Sequence, residues 1–199
     1  VPQTPKAKRE TPKANRGPSA GPANRQALID AAGEVFAELG YNAPLREIAR
    51  RAGVGQGSLY RHFSDRVALG LAVFEDSIQE LESLVTQDDY MLNDLFDRIA
   101  EQAQTSAALT ELLTTNGTDP RVIRLGERTR DSAARIIERE QAAGRMGTHL
   151  TADHAMLAVA MLATTLAKTD PAERPNVARQ AREIFDTAFA TIPAKMSAQ

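Results

Sequence analysis

The chain reads as an all-α protein of about nine helices: an N-terminal three-helix unit built on a helix-turn-helix, followed by a larger helical domain. Two observations predict this. Apolar residues recur at spacings of three and four along most of the 199 residues, and nowhere alternate with period two over a useful length. Helix starts and stops are marked by capping residues, Asp-Pro and glycine. The length suffices for one large or two small domains with a real core. No internal repeat is visible.

Residues 1–22 hold five prolines and five Lys/Arg with almost nothing to bury. They read as a disordered basic arm. Two roles fit it equally, reaching along phosphates or solubilising the chain. The helix-turn-helix unit is expected over 23–68. Leu28, Ala32, Val35, Phe36 and Leu39 form one face of a first helix, with Asn24 as its N-cap and Gly40 as its stop. In "APLREIARRAG", Pro44 suits a first helical position, Leu45, Ile48 and Ala49 face inward, and Gly53 closes the helix. A third short helix is expected from Gln56 to Phe63.

The helical remainder is expected over 69–199. Ser64 is the expected cap of a long helix reaching about residue 86, carried by Leu71, Phe74, Ile78, Leu81 and Val85. Further helices are expected from Leu92 to Ala107, Leu109 to Thr115, Asp119-Pro120 to Gly144, Thr151 to Lys168 and Asn176 to Ile192. The last carries a stripe of Val177, Ala181, Ile184, Phe185, Ala188 and Ile192.

Charge is unevenly placed. Residues 1–68 carry a net +5 and the remainder −7, within an overall −2. That division suits a polyanionic partner docking at one end. The absence of cysteine excludes disulfides and thiolate zinc sites, and is compatible with a reducing cytoplasm. The N-terminus lacks the apolar core of a secretory signal. The longest apolar run, Ala155 to Ala163, is too short to span a bilayer, so no membrane partner is expected.

The stretch "GVGQGSLYRHFSDR" carries the chemistry. The second helix of a helix-turn-helix enters the major groove of double-stranded DNA with its N-terminal residues at the base edges. Gln56 can pair bidentately with adenine, and Ser58 can meet either base type. Gly55 and Gly57 would let the backbone approach closely. Tyr60, Arg61 and His62 can donate to phosphates, which sets register. Leu59 and Phe63, four apart, point back to the core. Arg46 is placed to reach a guanine or a phosphate. Arg50 and Arg51 read as a solvated face.

Residues 24–71 resemble the DNA-binding domain of the TetR family of bacterial transcriptional regulators. The pattern lies in "FAELGY", "IARRAGV" and "GSLYRHFSDRVAL". The resemblance implies a homodimeric, cytoplasmic DNA-binding regulator, a repressor freed from a palindromic operator by a small-molecule effector. It implies that Arg66 replaces a phosphate-anchoring lysine, and that residues 69–199 form the ligand-binding and dimerisation domain. Two departures stand out. Pro44-Leu45 occupies the place of a hydroxyl pair that caps the second helix and touches phosphate. Gly55 replaces a serine cap.

The helix "TADHAMLAVAMLATTLAK" is apolar nearly all round, as expected of a helix covered on both sides. Paired half-sites need a dimer, which this helix and the last one would build; the alternative is a helix buried inside a monomer. A ligand cavity is expected among the helices of 91–168, lined by Met91, Leu95, Phe96, Ile99, Leu112, Leu113, Ile123 and Met156, with Arg124 or His154 as polar anchors. His149 and His154 are five apart with no Cys or Glu to complete a set, so no metal is expected. No cofactor is expected. The chain has no G-x-x-x-x-G-K-[ST], G-x-S-x-G or H-E-x-x-H, and it is not expected to be an enzyme. A scattered helical active site and a non-specific architectural DNA binder stand as the alternatives.

Overall fold

The computed structural model describes residues 21–191. Among the described residues there are nine helices and no strand: α1 (Gly21–Leu39), α2 (Leu45–Arg51), α3 (Gln56–His62), α4 (Arg66–Val85), α5 (Leu92–Glu101), α6 (Ala103–Thr115), α7 (Pro120–Ala142), α8 (Ala152–Lys168) and α9 (Arg174–Phe189).

Two apolar cores organise them. The first gathers Leu28, Val35 and Phe36 of α1, Ile48 of α2, Leu59 of α3 and Leu69, Phe74 and Ile78 of α4. It also takes in Ala108 and Leu112 of α6 and Val122 and Leu125 of α7. The N-terminal unit is therefore seated directly on the C-terminal helices. The second core joins Leu81 and Val85 of α4 to α5, α7 and α8, with α9 against its edge. Helix α4 runs through both. Arg128 of α7 holds it there, donating to Glu82 at 2.8 and 2.9 Å and to Glu75 at 3.0 Å.

Several boundaries differ from expectation. α1 already runs from Gly21, with Pro22 in its first turn, where a missing N–H costs nothing. Asn24 is thus inside the helix rather than its cap. The rest of the expected arm lies outside the described residues. Pro44 is the N-cap of α2, extended at ψ 128°, and supplies no side-chain cap. Asp65, not Ser64, caps α4: its carboxylate accepts the Ala68 N–H at 2.7 Å. The stretch expected as Leu92–Ala107 and Leu109–Thr115 is divided instead at Gln102, which leaves helical geometry (φ −109°, ψ 34°). The reason is packing. Leu95, Phe96 and Ile99 serve the second core, whereas Ala108 and Leu112 serve the first, and one straight helix could not face both.

α9 starts at Arg174, with Pro175 in its first turn, rather than at Asn176. Its stripe is divided. Val177, Ala181 and Phe185 pack inward, with Phe185 5.0 Å from the Phe96 ring. Ile184 and Ala188 face outward, and Ile192 lies outside the described residues. α8 buries Ala155, Ala158, Leu162, Ala163 and Leu166 but leaves Leu157 and Met161 exposed. Among the described residues it is therefore covered on one side only. No helix among the described residues is long and apolar enough to cross a membrane.

Candidate nucleic-acid interface and inner cavity

The turn between α2 and α3 depends on Gly53, whose φ of +67° is strained for any L side chain. The Gly53 N–H reaches the Arg50 carbonyl at 3.1 Å, and the Val54 N–H reaches that of Ala49 at 3.0 Å. These bonds close the end of α2 and aim α3. Leu59 and Phe63 are buried beneath α3 and fix its rotation. At about 100° per residue, Gln56, Gly57, Tyr60 and Arg61 then fall on the outer face, and all four are exposed. Arg46 on α2 is exposed as well. Among the described residues neither Arg46 nor Arg61 has a carboxylate partner. The neighbouring arginines do: Arg50 pairs with Glu47, and Arg51 donates to Glu38 at 2.7 and 2.8 Å.

Two residues expected on this surface are placed elsewhere. Ser58 is only 9% exposed. The rotation that buries Leu59 turns Ser58 toward the interior, so it does not belong to the outer face. His62, one turn later on the same side, is half-buried. Arg66 is the second. Its Nη1 donates to the carbonyls of Tyr41 and Ala43, both at 2.6 Å, and its guanidinium lies 5.7 Å from the Tyr41 ring centre. The loop joining α1 and α2 takes the group that the sequence reading assigned to phosphate. A residue missed earlier is Arg25, whose guanidinium sits 5.3 Å from the Phe63 ring centre, over the C-terminal end of α3. Its only sequence signal is a basic residue near the start of α1.

The same loop is gripped from the other side. Glu111 of α6 accepts the Tyr41 N–H at 3.1 Å and the Asn42 side-chain amide at 2.5 Å. Asn116 donates to the Tyr41 hydroxyl at 3.4 Å, and burial pushes that hydroxyl above its usual range. Arg121 of α7 bridges Asp119 at 2.7 Å and Asp65, the cap of α4, at 3.3 Å. Hydrogen bonds from the Arg121 side chain and backbone hold the Asp119 carboxyl at about 2.

Behind α6 lies a cavity of about 270 Å³, bounded by α4, α5, α6, α7 and α8. Of the residues expected to line it, Leu95, Ile99, Leu113 and Met156 do. The other six do not. Met91 borders a shallow hollow beside Phe189. Phe96, next to Leu95 and so turned about 100° from it, packs under Phe185 and Phe189. Leu112 faces the first core. Ile123 and Arg124 are exposed on the outside of α7. His154 is exposed at the start of α8, where its Nδ1 accepts the Thr151 N–H at 3.2 Å. A polar wall was missed: Gln102, Thr105, Ser106, Thr110, Thr114 and Thr129. The four-residue spacing of Ser106, Thr110 and Thr114 was its signal.

A family model described as bacterial regulatory proteins, tetR family, matches residues 28–73, which span α1 to α4. Residues 28–73 are thus a TetR-type segment. The chain is 47% identical over 64 residues to the HTH-type transcriptional activator FasR of Mycolicibacterium smegmatis, covering 32% of this chain and 29% of that protein. It is 45% identical over 65 residues to an uncharacterized HTH-type transcriptional regulator of Haemophilus influenzae, covering 32% of each. The match thus spans about a third of the length of these curated relatives. The TetR regulator SCO0520 of Streptomyces coelicolor shares the fold, with a TM-score of 0.58 at 24% identity, over 84% of this chain and 99% of that one.

Proposed function

We propose that the chain is a sequence-specific DNA-binding transcriptional regulator that acts as a cytoplasmic homodimer. It is a repressor, and it leaves a palindromic operator when a small molecule fills the inner cavity. One observation carries the reading: α3 presents Gln56, Tyr60 and Arg61 outward, beside cationic side chains without carboxylate partners among the described residues, on a glycine turn seated by Leu59 and Phe63. Base readout falls to Gln56 and phosphate positioning to Arg46, Tyr60, Arg61 and the flanking His62. Gly57 permits close approach of the backbone. The dimer would use the open faces of α8 and α9, where Leu157, Met161 and Ile184 are 60, 54 and 65% exposed. One relative, FasR, is a transcriptional activator, which leaves activation as a second reading for the sign of regulation.

The deciding experiment is selection of bound fragments from the source genome by the purified protein. The expected outcome is a palindrome whose half-sites lie about one helical turn apart or a multiple of it. DNA recovered without a shared motif would demote α3 to a non-specific contact. A reporter driven by the recovered site then reads repression or activation directly.

A further inference from the structure

We propose that the inner cavity takes an uncharged, mainly apolar molecule that offers a hydrogen-bond donor, a hydroxyl or an N–H, to its threonine wall. The proposal rests on reading this cavity as the effector site.

Size comes first. An apolar cavity of about 150 Å³ holds benzene. At about 270 Å³, this one suits roughly ten to twelve non-hydrogen atoms. Polarity comes next. Phe74, Ile78, Leu95, Ile99, Leu113 and Met156 make much of the wall apolar. Its one charged side chain among the described residues is Arg98, and both Nη atoms of Arg98 bind the Glu80 carboxylate. An anionic ligand would have to displace Glu80, exchanging one ion pair for another while losing its own hydration. A cationic ligand finds no free carboxylate in the wall.

The direction of hydrogen bonding follows from the threonines. Thr110 donates its hydroxyl proton to the Ser106 carbonyl at 3.0 Å, Thr114 to the Thr110 carbonyl at 2.9 Å and Thr129 to the Leu125 carbonyl at 3.0 Å. A hydroxyl whose proton is bound to its own helix presents only lone pairs to a ligand. These three threonines therefore accept from a ligand rather than donate to one.

The test is calorimetric titration of the full chain with four probes of nearly equal size: 1-octanol, its isomer heptyl methyl ether, octanoate and octylammonium. Octanol is expected to bind at least about tenfold more tightly than the ether and both ions, since a site built to pair with a polar group discriminates against analogues lacking it. Replacing Thr110, Thr114 or Thr129 by the near-isosteric valine should erase octanol's advantage over the ether in at least one case, with ether affinity unchanged. Equal octanol and ether affinities, a preference for either ion, or no binding by octanol overturns the ligand class. Ala160 of α8 also lines the cavity, so Ala160→Phe and the milder Ala160→Leu, each checked for parental helicity by circular dichroism, fill the cavity itself. Octanol binding that survives both overturns the cavity as the effector site, whereas loss of octanoate binding in both, after octanoate has bound best, overturns the class alone.

Discussion

Arg61 and Arg66 sit on the same short stretch, and their guanidinium groups do different work. Arg61 is exposed, with no carboxylate partner among the described residues. Arg66 clasps two carbonyls of the α1–α2 loop. Replacing each by alanine should separate the roles. Arg61→Ala should weaken operator binding about uniformly across sequences and lower the salt-dependence slope by about 1. Arg66→Ala should leave that slope unchanged and cost on the order of 2 kcal/mol of stability, as loss of charge-assisted hydrogen bonds does. Titration at several salt concentrations and urea unfolding read the two effects. Gln56→Ala should relax base preference at one half-site position by about 1–3 kcal/mol, read by repeating the fragment selection; an unchanged motif would refute base readout by Gln56. At this scale the sequence reading placed Gln56, Tyr60 and Arg61 on an open helix face, because alternation around Leu59 and Phe63 is a local signal. It misplaced Ser58 and Arg66, because burial of the first and the partners of the second depend on how α3 and the α1–α2 loop are seated.

Elements meet most tightly where α4 crosses Tyr41. A methyl group on Gly70 would lie 2.9 Å from the Tyr41 ring and 3.4 Å from Leu112. Tyr41 is almost fully buried and cannot swing away. Gly70→Ala should therefore destabilise the fold by about 1–3 kcal/mol, measured by urea unfolding. The start of α7 makes a prediction about acid. The Asp119 carboxyl falls from 3.8 to about 2 on folding, chiefly through hydrogen bonds from Arg121. Its contribution is present above the unfolded value and disappears as pH falls through the folded one. Asp119→Asn should flatten the pH dependence of stability between about pH 4 and 2, seen in thermal melts across that range. The starts of α7 and α8 were legible because Asp-Pro and Thr caps are local. The break at Gln102 was not: no glycine or proline marks it, and it answers to two cores that only the folded chain brings together.

At the scale of the whole molecule, helical periodicity disclosed the all-α architecture, and residues 24–71 carried the resemblance to the TetR family, which the family match over 28–73 meets. The cavity was only partly legible. Four of its apolar residues were found because the expected helices were roughly right. The threonines were passed over because a hydroxyl at four-residue spacing reads as solvent-facing until its helix is placed. The open apolar faces of α8 and α9 carry the prediction for assembly. Leu157→Glu and Ile184→Glu together should shift the chain toward monomer in sedimentation velocity and weaken palindrome binding far more than half-site binding. A monomeric parent protein would refute the dimer.

Helix α6 lends Thr110, Leu113 and Thr114 to the cavity, while Glu111 and Leu112, interleaved with them, hold the helix-turn-helix head. That interleaving constrains how such a protein can diverge. A substitution that reshapes the cavity for a new ligand falls within one residue of a group that seats the head. Changes in ligand preference should therefore arrive with shifts in ligand-free DNA affinity, and lineages that acquire new ligands should carry compensating changes in the α1–α2 loop.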